Sequence, residues 1–195
     1  MTEPSTIPYV IKPMSIADIR EVAALEKIIF PLPWSALAFE YELRHNPMAD
    51  FSVLRHRTPQ RKGDPSRPVL GYAGFWVIVD EAHICTLGVH PDWRGRGLGE
   101  LLLVHLVDRA AERGVSVVTL EVRDSNLAAQ NLYRKYGFAP AGRRKRYYVD
   151  NNEDAIIMTT EVITSPSYQQ RLAALKATLW QKMAGGQPTG PVDSS

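Results

Sequence analysis

Apolar positions along the chain change period several times, and each change marks an element. Tyr9-Val-Ile-Lys-Pro-Met14 reads as a first strand. Behind Ser15, a favoured N-cap type, Ile16, Ile19, Val22, Ala23 and Ile28 share one helical face. That helix breaks at Phe30-Pro-Leu-Pro-Trp34, because proline cannot continue it, and a second helix from Ser35 runs roughly to Arg44. Asp50–Arg55 and Val69–Val79 have the look of paired antiparallel strands. The polar, basic, proline-rich link over 57–68 has the composition of a flexible hairpin loop. Asp80-Glu81-Ala82 turns into an apolar run ending at Val89, and His90-Pro91-Asp92-Trp93 is a turn signal. After Arg94-Gly95-Arg96-Gly97-Leu98-Gly99, the residues Leu98, Leu101, Leu102, Leu106 and Ala110 give a helical face that ends at Gly114. Val115–Val122 is a second strand of buried type. Strand, helix and strand at this spacing form a right-handed crossover between parallel strands. Ser125 is the expected cap of a helix from Asn126 to about Tyr136, and Phe138–Val149 and Asp154–Glu161 read as a closing antiparallel pair.

These elements make one α/β domain over residues 8–163, after a flexible polar start over 1–7. A further helix over 164–184 carries an apolar stripe of Leu172, Leu175, Leu179, Trp180 and Met183, and 185–195 has the composition of a disordered tail. The stripe is expected to dock on its own domain, with dimerisation or a partner as alternatives. The chain's 195 residues, 45% hydrophobic and 23% charged, suffice for one ordinary core. A formal charge of +2 does not mark a dedicated nucleic-acid binder. Cys85 stands alone, which excludes an internal disulfide and a cysteine-rich metal site, and its apolar strand suggests a small buried side chain; no metal is expected. The start lacks the order of a signal peptide, and no apolar run is long enough to span a bilayer. A cytoplasmic soluble protein is the expectation.

The chemistry begins at Arg94–Gly99. A glycine-rich turn between strand and helix suits a phosphate: the first helical N–H groups lack partners, the dipole is positive there, and glycine admits a bulky anion. Arg94 and Arg96 add donors that match phosphate geometry. The loop lacks the GK[ST] ending of a P-loop and the G-x-G-x-x-G spacing of a dinucleotide fold. With Leu87-Gly88-Val89 before it, and Leu120-Glu-Val-Arg-Asp-Ser-Asn126 and Leu132-Tyr-Arg-Lys-Tyr-Gly-Phe138 after it, the stretch resembles the GNAT acyltransferases. The resemblance implies a GNAT fold: a mixed, mostly antiparallel sheet with helices on both faces and a central parallel strand pair splayed to hold acyl-CoA. It implies that Arg94, Gly95, Arg96, Gly97, Leu98, Gly99 and Glu100 wrap the pyrophosphate of acetyl-CoA. Leu87, Gly88 and Val89 would offer amides to the pantetheine arm, and Asn126 would bond it. Glycine at 88 also suggests in its own right a bulge or a close backbone approach.

Glu121 interrupts an apolar strand, where an unpaired charge is costly, so it needs either a partner or a function. A salt bridge with Arg123 or a neighbouring strand is one reading. Its place in Leu-Glu-Val-Arg-x-Ser-Asn is similar to the base position of the RimI-like enzymes, which acetylate the N-terminal alanine of a ribosomal protein. Glu81 is the rival base. Tyr133 matches the GNAT acid position, and a phenol with pKa near 10 stays protonated at neutral pH. Phe30 and Trp34 either anchor a loop in the core or form a substrate wall. Tyr147 and Tyr148, which follow the basic run Arg143–Arg146, are placed by the same resemblance beside the acceptor amine. The expected function is transfer of acetyl from acetyl-CoA to a protein α-amine, most like the ribosomal-protein alanine acetyltransferases. The alternatives are acetylation of a small-molecule amine or lysine, and an acyl-CoA-binding module without turnover.

Overall fold

A computed structural model describes residues 7–57 and 67–185. The link over 58–66, the first six residues and the tail after 185 lie outside the described residues. Seven strands form a single sheet in the order β1-β2-β3-β4-β5-β7-β6: β1 Tyr9–Pro13, β2 Ala49–His56, β3 Val69–Ile78, β4 Glu81–Val89, β5 Val117–Arg123, β6 Phe138–Tyr148 and β7 Glu153–Thr160. β4 and β5 are parallel and every other neighbouring pair is antiparallel. Five helices accompany them: α1 Ile19–Ile29, α2 Ala36–His45, α3 Leu98–Glu112, α4 Leu127–Lys135 and α5 Pro166–Gly185. This is the mixed, mostly antiparallel sheet with one central parallel pair that the resemblance implies.

The strand alternation of β2 shows how the core divides, since Phe51 and Val53 enter one apolar cluster and Leu54 the other. The first cluster joins α1 and α2 to the sheet through Ile19, Val22, Leu25, Phe39 and Tyr72. The larger one is built on α3, with Leu101, Leu102, Leu106 and Val107 almost fully buried. Three local readings change. Ile7, assigned to a flexible start, is buried, and its carbonyl accepts from Arg57 Nε at 2.9 Å. Ile16 and Ile28 are exposed, because the buried face of α1 runs through Ile19, Val22, Ala23 and Glu26. Asn126, not Ser125, caps α4: its side chain accepts from Ala129 N–H at 3.2 Å, while Ser125 N–H donates to Glu153.

Two departures from regular pairing position the site. The parallel ladder runs only from Glu81↔Val117 to Ile84↔Leu120, so the remainder of β4 and β5 diverge. The β3–β4 ladder skips Cys85, which is the extra residue of a bulge, so the irregularity falls three residues before Gly88. At Gly88 itself the backbone is approached closely: an added Cβ would stand 2.9 Å from Ile29 Cδ1 and 3.0 Å from the Tyr72 hydroxyl oxygen. α5 packs on the α3 side through Tyr168, Leu172, Leu179 and Met183, so docking in cis is what the chain does. Its buried Lys176 is paired with Asp108 of α3, which offsets the cost of burying the charge. Among the described residues no helix is long and apolar enough to cross a membrane.

Candidate active site

β4 leads through a 3₁₀ turn, Pro91–Trp93, into the glycine loop. Gly95 and Gly97 have φ of 75° and 80°, a left-handed conformation that a side chain would strain. Gly97 is the N-cap of α3, and the first bond inside the helix is Leu101 N–H to Gly97 O. The N–H groups of Leu98, Gly99 and Glu100 therefore have no partner within the helix, and they stand at its positive end. The Arg94 guanidinium donates to Val89 O at 3.3 Å, and Arg96 lies over the Trp93 ring at 4.7 Å. The Glu100 carboxylate faces away from anion duty: it accepts from Tyr136 Oη at 2.6 Å and pairs with Lys135, leaving only its N–H for an anion. The donor set of backbone N–H groups, two arginines and side-chain-free turns fits a diphosphate.

Beyond the loop, the diverging strands open into a cavity of about 540 Å³. Leu87 of β4 and Asn126 of α4 line it, as do Glu121 and Tyr133. One wall is Phe30, Leu32 and Trp34 from the α1–α2 loop, backed by Trp76, on which Trp34 stacks at 5.7 Å between ring centres. Tyr147 and Tyr148 at the end of β6, and Val149 after them, line it as well. Consecutive strand residues normally face opposite sides, yet both tyrosines border the cavity. The cause is a bulge between Arg144 and Tyr148, where Arg146 takes φ 51° and its N–H donates to Asp154 Oδ1 at 2.8 Å. Arg123 lies 3.9 Å over the Tyr148 ring and pairs with Asp150 and Glu153, so it is not the partner of Glu121.

The partners of Glu121 come from the adjoining β4 and, across β7, from β6. His83 Nε2 of β4 stands 2.6 Å from Oε2, and Arg144 Nε of β6 donates to Oε1 at 2.9 Å. The side chain is only 8% exposed, and burial alone would raise its pKa. The His83 hydrogen bond, with the charges of His83 and Arg144, outweighs burial and holds the carboxyl below the usual range. Tyr133 shows the opposite balance: burial pushes its phenol up to about 12, so it is protonated at neutral pH. Burial likewise raises Tyr148 to about 12 and carries the Cys85 thiol far above its ordinary value, which makes Cys85 inert. The Cys85 Sγ donates to Gly74 O at 3.4 Å.

Glu81, the rival base, is exposed at the start of β4 and does not line the cavity. Two of the ionisable residues in the lining, His83 and Glu26, are given no role from the sequence alone. His83 shares a strand face with Cys85, a period-two signal present in the sequence but without chemistry until β5 is set beside it. Glu26 falls on the Ile19, Val22, Ala23 helical stripe, so its burial was readable from spacing. It is 2% exposed, and burial raises its pKa. Its carboxylate accepts from Trp34 N–H at 3.3 Å and from Thr86 Oγ1 at 3.2 Å, which ties the aromatic loop to β4.

Residues 19–138 match the model of the acetyltransferase (GNAT) family. The chain belongs to the GNAT family. It is similar to the putative ribosomal protein bS18-alanine N-acetyltransferase of Bacillus subtilis, 38% identical over 76% of this chain and 92% of that protein. It is also similar to the N-alpha-acetyltransferase RimI of Mycobacterium tuberculosis, 38% identical over 78% of this chain and 92% of that one. Among solved structures, the ribosomal-protein-S18-alanine N-acetyltransferase of Escherichia coli superposes with a TM-score of 0.67 at 33% identity, covering 79% of this chain and 94% of that one. The GNAT match takes in the glycine loop, Glu121 and Tyr133, and stops before Tyr147, Tyr148 and α5.

Proposed function

We propose that this GNAT enzyme transfers acetyl from acetyl-CoA to the α-amine of a protein with a small first residue, with the N-terminal alanine of a ribosomal protein as its substrate. One observation carries the reading. One cavity at the divergence of β4 and β5 is lined by Glu121, His83 and Tyr133 together with aromatic residues of the α1–α2 loop and of β6. The name of the Bacillus subtilis relative supports the same acceptor, and that of the Mycobacterium tuberculosis relative supports an α-amine.

In this reading the N–H groups at the start of α3, with Arg94 and Arg96, hold the diphosphate. The edge of Leu87–Val89 turned away from β3, past the end of the parallel ladder, and the Asn126 amide align the pantetheine arm. Acetyl-CoA supplies the activated acyl group. Glu121 takes the proton from the incoming ammonium. A carboxylate held below the usual range is a weak acceptor, so it serves an amine that needs little help to deprotonate, while His83 and Arg144 hold Glu121 in place. Tyr133 returns a proton to the departing thiolate. Phe30, Trp34, Tyr147 and Tyr148 close on the first residue from two sides, which admits a short side chain end-on and crowds a long lysine stem. An α-amine has a pKa of about 8 against about 10.4 for lysine, so more of it is already unprotonated near neutrality. Such chemistry suits a cytoplasmic enzyme that meets new protein N-termini.

Thiol release with a panel of peptides differing only in the first residue tests the acceptor. Alanine, glycine and serine peptides are expected to turn over fastest. A panel with no dependence on the first residue, or turnover only with small amines, would overturn the assignment.

A further inference from the structure

The GNAT match ends at Phe138, well before α5 begins at Pro166. Yet α5 reaches the glycine loop. A Cβ added at Gly97 would stand 3.1 Å from Met183 Cε and 3.5 Å from Leu179 Cδ1, whereas one at Gly95 would meet nothing within 4 Å. The loop is thus backed by the last two turns of α5 on one side and open on the other. Leu179 and Met183 are buried although they lie near the end of a helix, where fraying is usual. The rest of α5 is pinned along its length. Tyr168 Oη donates to Tyr136 O at 3.0 Å, Arg171 pairs with Glu161, and Lys176 pairs with Asp108.

We propose that Leu179 and Met183 are positioning residues for the nucleotide half of acetyl-CoA, holding the Gly95–Gly97 turn in the form that leaves the α3 N–H groups free for a diphosphate. The inference rests on reading Arg94–Gly99 as the diphosphate cradle. Glycine enters positive φ about as readily as negative φ, so a loop with two such residues has little conformational preference of its own. Packing from outside is what can select one form, and a preorganised loop binds without the entropy cost of ordering it. Here that packing comes from the face of the loop away from the open side.

The experiment is steady-state kinetics of the full chain with acetyl-CoA and an alanine-starting peptide, on two sets of variants. Arg94→Ala and Arg96→Ala report on the cradle, while Leu179→Ala and Met183→Ala report on α5. Gln181→Ala, on the exposed face of α5, is the control. Leu179→Ala and Met183→Ala are expected to raise the acetyl-CoA KM about 3- to 10-fold, with the peptide KM and kcat within twofold of the parent. Met183→Leu, which conserves volume, is expected to restore the parent value. If the arginine variants raise the acetyl-CoA KM and the α5 variants do not, the cradle stands and the α5 role is overturned. A loss spread equally over both substrates and kcat would reduce α5 to general support and also overturn it. Should neither set move the acetyl-CoA KM, the cradle itself is misassigned and this inference falls with it.

Discussion

At Glu121 side chains from two strands distant in sequence converge on one carboxylate, His83 from the adjoining β4 and Arg144 from β6, one strand beyond β7. The lone acid in an apolar strand was legible from the sequence, because burial without a partner is costly. Its partners were not, because the pairing depends on the register of β5 with β4, and on β6 reaching over β7. Glu121→Gln and His83→Ala are each expected to lower kcat by about 10²-fold or more, and Tyr133→Phe by about 10- to 10²-fold, with acetyl-CoA affinity retained in calorimetry. Full activity of Glu121→Gln, together with loss of activity in Glu81→Gln, would move the base to the exposed start of β4. For Tyr133, a phenol held at about 12 by burial is a donor throughout the physiological range, so removing it should affect the rate alike from pH 6 to 9.

Among the elements, the strands and helices themselves were readable from period two and period 3.6, with their ends shifted by a residue or two. What could not be read were the irregularities that make the site. Gly88 did announce a close approach, but the bulge sits at Cys85, where no residue type signals it. The bulge at Arg146 turns both Tyr147 and Tyr148 to the cavity against strand alternation. The α1–α2 loop depends on Glu26, which accepts from Trp34 N–H. Glu26→Ala is therefore expected to raise the peptide KM several-fold and leave the acetyl-CoA KM unchanged; an equal rise in both would show that the loop does not serve the acceptor alone. The β6–β7 turn carries a pH signature. Hydrogen bonds from Ser125, then Asn151 and Arg123, hold the Glu153 carboxyl at about 2. A carboxyl depressed in the fold contributes stability that is present above its unfolded pKa of about 4.3 and is lost as pH falls toward 2. Glu153→Gln should lower the melting temperature at pH 7 and have progressively less effect between pH 4 and pH 2. A constant difference across that range would contradict the tether.

The whole molecule places one parallel strand pair in the middle of an otherwise antiparallel sheet and lets it come apart beyond Ile84 and Leu120. That divergence opens a cleft bordered by Glu121, Tyr133 and both sets of aromatic residues. The crossover through α3 was legible as hydrophobic patterning, and the splay followed from the GNAT resemblance rather than from the residues. α5 was legible as an amphipathic helix, but not its reach to Gly97, since nothing in the stripe names its partner surface. The central claim is that this cleft receives a protein N-terminus. Its most direct test is mass spectrometry on two peptides of identical sequence, each beginning with alanine and containing one internal lysine, one with a free and one with a blocked N-terminus. The enzyme with acetyl-CoA should add a single acetyl group to the α-amine of the free peptide and leave the blocked one unmodified. Acetylation of the lysine at equal rates in both peptides would contradict an N-terminal acceptor and assign the cleft to lysine side chains.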